Sequence, residues 1–259
     1  VKAYQAADAK SAPSLLLHSH ETGQELIQTV GRLAVTQSNQ FKGVPAHVIP
    51  FALHHSASTG IDFWLGCLAH GYGQVAILLS GEEAPEYQQA LMQQVNLAQS
   101  ILHGLGYDKN GVVLLQADDP KSLQTTISDL SARAAICPSA TFAFALEKRE
   151  TLEAALEHLM KHAPHQITAD QPLMLAASSP IGAVHVNQDA CTLCMSCVGA
   201  CPESALRDNP DMPQLSFIER NCVQCGLCVE TCPENALTLV PRLQVTENRK
   251  KAVVLNETK

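Results

Sequence analysis

Eight of the ten cysteines in this chain of 259 residues lie between Cys191 and Pro233, in two runs of one spacing. The first reads Cys191-x2-Cys194-x2-Cys197-x3-Cys201-Pro202, the second Cys222-x2-Cys225-x2-Cys228-x3-Cys232-Pro233. Thiolates hold iron–sulfur clusters, and cysteines at two-residue intervals let one tightly wound loop aim three sulfurs at three iron corners of a single cube. A disulfide framework would spread its cysteines along a chain in an oxidising compartment. Zinc would be satisfied by two separated C-x2-C pairs, with no need of a third cysteine in each run. A thioredoxin-like motif would use one C-x-x-C. Pro202 and Pro233 turn the chain out of each loop, since proline fixes φ and offers no N–H.

The spacing is the one by which bacterial ferredoxins hold cubane clusters, and in it the fourth cysteine ligates the other cluster. Cys191, Cys194, Cys197 and Cys232 are therefore expected to hold cluster I, and Cys201, Cys222, Cys225 and Cys228 cluster II. Such crossed ligation would staple together a domain with little apolar core. The stretch is also an internal repeat with an offset of 31 residues: Val198 matches Val229, Glu203 matches Glu234, and Ala205-Leu206 matches Ala236-Leu237. Over residues 183–240 it resembles the two-[4Fe–4S] bacterial-type ferredoxin family. That resemblance implies a pseudo-twofold fold, with a strand before each loop (residues 183–186 and 215–218) and a short helix after it. No cysteine of either run is replaced by Asp or His, so neither a three-iron nor a Rieske-like site is suggested. Residues 208–213, Asp-Asn-Pro-Asp-Met-Pro, mark a turn-rich surface connection.

The length suits about two domains. A net charge of −8 with neutral histidines lacks the basic footprint of a nucleic-acid binder. No apolar run approaches the ~20 residues of a membrane span, and no secretory signal opens the sequence. Thiolates and oxygen-sensitive clusters suit a reducing cytoplasm. Val1 rather than Met stands first, which reads as a fragment of a longer protein. Residues 186–240 carry seven acids against two arginines, a net of −5 able to steer towards basic docking surfaces, and residues 241–259 a net of +3.

Ahead of the cysteines, apolar strands alternate with amphipathic helices. Residues 1–13 are small and polar and are expected to be a flexible segment. Strands are expected at residues 15–17, 47–53, 74–80 and 111–116, with a fifth at 141–146. Helices are expected at 21–35, 59–70, 84–105, 121–134 and 150–162. This alternation predicts an α/β fold, a flavodoxin-like doubly wound parallel sheet over residues 14–163. A linker over 164–182, with Pro172, Pro180 and Gly182, leads to the small α+β ferredoxin-like domain at 183–240, and a basic tail occupies 241–259.

Ligands of such sheets bind at the carboxyl ends of the strands, here residues 18–23, 54–60, 80–83 and 117–119. Ser58-Thr59-Gly60 could hold a phosphate at a helix start, but Ser and Thr there serve more often as N-caps. Gly71-Tyr72-Gly73-Gln74-Val75-Ala76 has the letters of a dinucleotide fingerprint but precedes a strand, where the fingerprint must follow one. His18, His20, His54 and His55 could approach one another at strand ends, though loop histidines are usually just polar surface. Cys67 and Cys137 read as buried small apolar residues. The succession of helix, Gly71-Tyr72-Gly73, apolar strand and a long helix ending Leu105-Gly106-Tyr107 resembles the hydrogenase delta-subunit family. That family implies a [2Fe–2S] site, for which this region, with Cys67 alone, lacks the cysteines. The joined arrangement looks more like part of the larger multi-cluster iron–sulfur proteins of bacteria.

The sequence thus points to electron transfer through two [4Fe–4S] clusters, as a relay or as the electron-transfer part of a larger redox protein. Apolar neighbours such as Leu193, Val198, Leu227 and Val229 would tune the potential, and redox proteins would be the partners. Two alternatives stand beside it. One is an oxidoreductase whose α/β domain binds a flavin or nucleotide fed by the clusters. The other is a scaffold whose clusters only fold and dock the domain.

Overall fold

Four short apolar runs, Ser14–Ser19 (β1), Val48–Leu53 (β2), Gln74–Leu79 (β3) and Val112–Gln116 (β4), pair in parallel in the order β2-β1-β3-β4. The computed structural model describes residues 11–130, 132–136 and 138–257, and the chain divides into two compact units, Val1–Pro164 and His165–Lys259. In the first unit β1 and β3 are buried along their whole length. This explains why each carries an unbroken apolar stretch, residues 15–17 and 75–79, rather than an alternating one. Helices Thr22–Thr36 (α1), Ile61–Ala69 (α2), Pro85–Gly104 (α3) and Pro120–Ser128 (α4) connect and follow the strands. Leu26 and Val30 of α1 and Leu123 and Ile127 of α4 share one core with Leu16, Ala76 and Leu78. A fifth helix, Lys148–Lys161 (α5), buries Leu152, Ala155, Leu156 and Leu159 and packs on α2. The unit is a doubly wound, flavodoxin-like sheet.

Several boundaries differ from the sequence reading, each for a physical reason. Helix α4 opens on a capping box between Asp119 and Ser122 but stops at Ser128, not at residue 134. Beyond it Leu130 turns into the core, and the Arg133 carbonyl accepts from the N–H of buried Ala12 (2.8 Å). Ala12 thus anchors the end of the segment expected to be flexible; residues 1–10 lie outside the described residues. No fifth strand forms at residues 141–146. The Ala140 N–H donates to the Ala69 carbonyl, and His70 Nε2 lies 2.8 Å from the Phe142 carbonyl, so this segment crosses the end of α2 instead of joining β4. Phe142 and Phe144 pack around the His70 ring. Gly66 makes room for them: a Cβ there would lie 2.7 Å from the Phe144 ring.

The second unit holds two three-stranded sheets. Leu173–Met174 (β5), Leu237–Leu243 (β9) and Gly182–Val186 (β6) form one; Ala252–Glu257 (β10), Gln214–Ile218 (β8) and Leu206–Asp208 (β7) form the other. Both are antiparallel. The stretches expected as linker and tail therefore contribute β5 and β10 to these sheets, and the tail adds the short helix Thr246–Lys250 (α8). The short helices expected after the loops lie inside the cysteine runs: Ser196–Gly199 (α6) carries Cys197 and Leu227–Glu230 (α7) carries Cys228.

Candidate metal centres

Each cysteine run is wound by residues in the left-handed region. Among the described residues, every non-glycine with positive φ belongs to this unit: Leu193, Met195, Ser204, Gln224 and Asn235. Leu193 (φ 56°) and Gln224 (φ 54°) stand 31 positions apart, as do Met195 (60°) and Gly226 (81°), and Ser204 (50°) and Asn235 (49°). The repeat is thus a repeat of backbone as well as of letters. Each non-glycine costs roughly 1–2 kcal/mol in this conformation, a strain typical of ligand-holding loops. Left-handed turns of this kind form concavities suited to Fe–S sites.

Strand pairing then crosses the two runs. Strand β6 leads into Cys191, and it pairs with β9, which follows Cys232. Strand β8 leads towards Cys222, and it pairs with β7, which follows Cys201. The fourth cysteine of each run is thereby carried to the first three of the other. One cavity is lined by Cys191, Cys194, Cys197 and Cys232 together with Leu193, Leu215 and Leu237. A second is lined by Cys201, Cys222, Cys225 and Cys228 together with Val184, Phe217 and Leu239.

The electrostatics fit a cationic guest. No Lys, Arg or His lines either cavity. Burial pushes the Cys228 thiol up to about 11, helped by the negative potential of Cys222, Cys197, Cys201 and Cys225. Cys197 is raised likewise by burial and then by Cys191. Thiols massed this way resist ionising until a metal supplies the missing positive charge. Cys194 goes the other way, lowered by the Ser196 hydroxyl and backbone N–H. Among the described residues no three His, Cys, Asp or Glu groups are gathered to hold a lone metal ion. Four cysteines around each cavity match the needs of a cubane, which takes each thiolate at a separate corner. Sulfur hydrogen bonds repeat as well: the Ala205 N–H donates to Cys201 Sγ (3.2 Å) and the Ala236 N–H to Cys232 Sγ (3.3 Å). The middle cysteines, Cys194 and Cys225, are exposed, while Cys197 and Cys228 are buried.

Residues 183–233 match the family model described as a 4Fe-4S dicluster domain. The second unit carries a ferredoxin-like iron–sulfur domain. The match takes in both cysteine runs and supports 4Fe–4S binding and iron–sulfur electron transfer as the chemistry of this region. No curated protein matches the chain. No helix among the described residues is long and apolar enough to cross a membrane.

The strand ends of the first unit have a different character. Glu83 is buried and accepts from the Ser56 hydroxyl (2.7 Å) and from the Ser80 and Gly81 N–H groups (3.1 and 3.2 Å). Glu82 accepts from Thr22 and Ser80. Asp119 accepts from the Lys121 and Ser122 N–H groups, and Ser19 Oγ from the Gly23 N–H. Ser58-Thr59-Gly60 supplies no hydroxyl cap to α2. Gly60 is the N-cap of α2, Thr59 accepts from the Trp64 indole (3.0 Å), and Gln94 takes the Ile61 N–H. Six backbone N–H groups at this rim, those of Gly23, Ile61, Ser80, Gly81, Lys121 and Ser122, are thus engaged by the chain's own side-chain oxygens. His18 is buried against the Ser19 carbonyl, His20 packs on His54 (5.2 Å between rings), and His55 packs on Tyr87. Cys67 is buried and raised to about 12 by that burial; Cys137 lies outside the described residues.

The sequence reading missed the polar side chains aimed at sulfur. Ser196 Oγ lies 3.5 Å from Cys194 Sγ, and the Gln224 side-chain amide donates to Cys222 Sγ at 3.2 Å. The only sign of them was a mismatch between the halves, Leu193 against Gln224 and Ser196 against Leu227.

Proposed function

We propose that the chain relays electrons between redox proteins through two [4Fe–4S] clusters. One would be held by Cys191, Cys194, Cys197 and Cys232, the other by Cys201, Cys222, Cys225 and Cys228. The observation that carries this reading is that each of two separate cavities is lined by one crossed set of four cysteines. When bound, a cubane cluster supplies reversible one-electron chemistry. The chain's part is to bind, to insulate and to tune. Leu215 and Leu237 on one side, and Phe217 and Leu239 on the other, exclude water from the sulfurs. Backbone N–H groups such as those of Ala205 and Ala236 stabilise negative charge on the thiolates. Cys194 and Cys225 give each site an edge open to a docking partner. A reducing compartment such as the cytoplasm suits these thiolates, and the first unit would serve as the attachment of this module within a larger redox protein. A flavin in the first unit is the less favoured reading, because the phosphate-binding donors at its strand ends already hold Glu83, Asp119 and Ser19.

Anaerobic reconstitution with iron, sulfide and flavin measured on one sample, followed by EPR during reduction, tests the reading. About eight irons and two interacting reducible [4Fe–4S] signals are expected. About four irons, or clusters that never reduce, would refute a two-cluster relay, and stoichiometric flavin would move the chemistry into the first unit.

A further inference from the structure

The two cysteine loops share a backbone but not their polar partners. At the left-handed position between the first two cysteines the first run has Leu193 and the second has Gln224. Gln224 Nε2 donates to Cys222 Sγ (3.2 Å) and to the Ala183 carbonyl (2.9 Å). Its two hydrogens thus meet two acceptors, and flipping the amide would set its oxygen against both. The slot is shaped for this group: a Cβ on Gly182 would lie 2.7 Å from the Gln224 Cδ and 2.5 Å from the Val240 carbonyl. Glycine at 182 is what lets the amide lie against β6. The side-chain oxygen is buried and has no partner, so the group is held at a local cost rather than for its own satisfaction.

The first run answers with Ser196, whose hydroxyl lies 3.5 Å from the sulfur, and with Thr192, both on the exposed Cys194. Water competes for these contacts more than for the one at Cys222, which is buried. A donor on a ligating sulfur favours the state with the extra negative charge, and more so away from water.

Resting on the two-cluster reading above, we infer that Gln224 is a potential-setting residue that makes the Cys201/Cys222/Cys225/Cys228 site the first to accept an electron. The fold thereby distinguishes two sites that the cysteine repeat makes equivalent. Gln224 acts through the Cys222 sulfur and is a positioning residue, not a ligand.

The test is a mediated dithionite titration followed by EPR on the full reconstituted chain, with iron and sulfide counted first. Wild type should show two separate one-electron steps. Gln224→Met keeps the length and removes the donor. It should lower the first step by on the order of tenfold in the reduction equilibrium, about 59 mV for one electron, and leave the second in place. Gln224→Leu installs the side chain that the first run carries at this position and should do the same, while Ser196→Ala should move the second step by less. The shift should persist in C194A/C232A, which removes two cysteines of the other set. Coincident steps in wild type, no shift in Gln224→Met, or equal shifts of both steps would overturn the inference with the relay intact. Failure of both Gln224 variants to load, beside a loaded wild type, would also overturn it by making the residue an assembly element. A wild type that itself does not load about eight irons would refute the two-cluster reading instead.

Discussion

Crossed ligation makes a prediction about pairs of cysteines that no single substitution tests. If β6–β9 and β7–β8 pairing carries each fourth cysteine to the opposite run, then Cys194 and Cys232 serve one site while Cys194 and Cys201 serve two. C194A/C232A strips two ligands from one set and leaves Cys201, Cys222, Cys225 and Cys228 complete. C194A/C201A leaves both sets one thiolate short. Iron analysis should therefore find about four irons in an intact cubane in the first double variant and no four-thiolate cubane in the second. Stability should follow the same division. Cys191 and Cys232 lie 41 residues apart, and a covalent clip closing a loop that long is worth on the order of 4 kcal/mol by chain entropy. Loss of one clip should cost the second unit about that much, and loss of both about twice as much. The assay is iron and sulfide content, EPR of the reduced protein, and anaerobic urea unfolding of each variant. An intact cubane in C194A/C201A and none in C194A/C232A would show that each run closes on its own fourth cysteine, and would refute the crossing.

Two further predictions concern the first unit. Glu83→Ala removes the acceptor of three donors, including the fully buried Ser56 hydroxyl, and should lower urea stability by about 3 kcal/mol without changing iron content; a loss below about 1 kcal/mol would show that water replaces the carboxylate. Burial holds His18 below its ordinary range, the hydrogen bond to the Ser19 carbonyl opposing only in part. The unfolded chain then binds the proton more readily, so stability is present above about pH 6.5 and is lost as pH falls below it towards the folded value. The urea midpoint should fall on going from neutral to mildly acidic pH, and His18→Gln should flatten that slope; an unchanged slope would remove His18 as its source.

The parts of this molecule that were legible in the sequence are those whose signal is local. Ligand spacing is one, because the C-x2-C-x2-C-x3-C run must place three sulfurs on one turn whatever surrounds it. The buried strands β1 and β3 are another, because only a doubly covered strand reads as unbroken Leu, Ile and Val. What escaped depends on partners distant in sequence. Thr141-Phe142-Ala143-Phe144 alternates like a strand, yet period two reports burial on one side and not which element covers it; the His70 ring and Gly66 took the phenylalanines. The left-handed positions were equally hidden, since Gly226 announces one of six and Leu193, Met195, Ser204, Gln224 and Asn235 announce none.

Net charge shows how a count along the chain misleads once it folds. Residues 186–240 carry −5 and residues 241–259 carry +3, which reads as an acidic module with a loose basic tail. In the structure the tail is β10 and α8, and β10 pairs along β8. Arg242 grips Glu219 through both Nε and Nη2 (3.3 and 2.7 Å), and Glu219 lies at the turn that leads into Cys222. Arg249 is among the largest fully buried side chains. One of the seven acids and two of the five basic residues are thus spent inside the unit and steer nothing. With β10 paired on β8, the acidic stretch and the tail act together as −5 and +3, a net of −2, so long-range attraction is weaker than −5 alone implies. What a redox partner of the proposed relay would meet at close range is local: the Cys194 edge has the Ser196 hydroxyl beside it, and the Cys225 edge has the half-exposed Leu227. The same mismatch between the halves that distinguishes the sulfurs inside therefore distinguishes the two surfaces outside, one polar and one apolar.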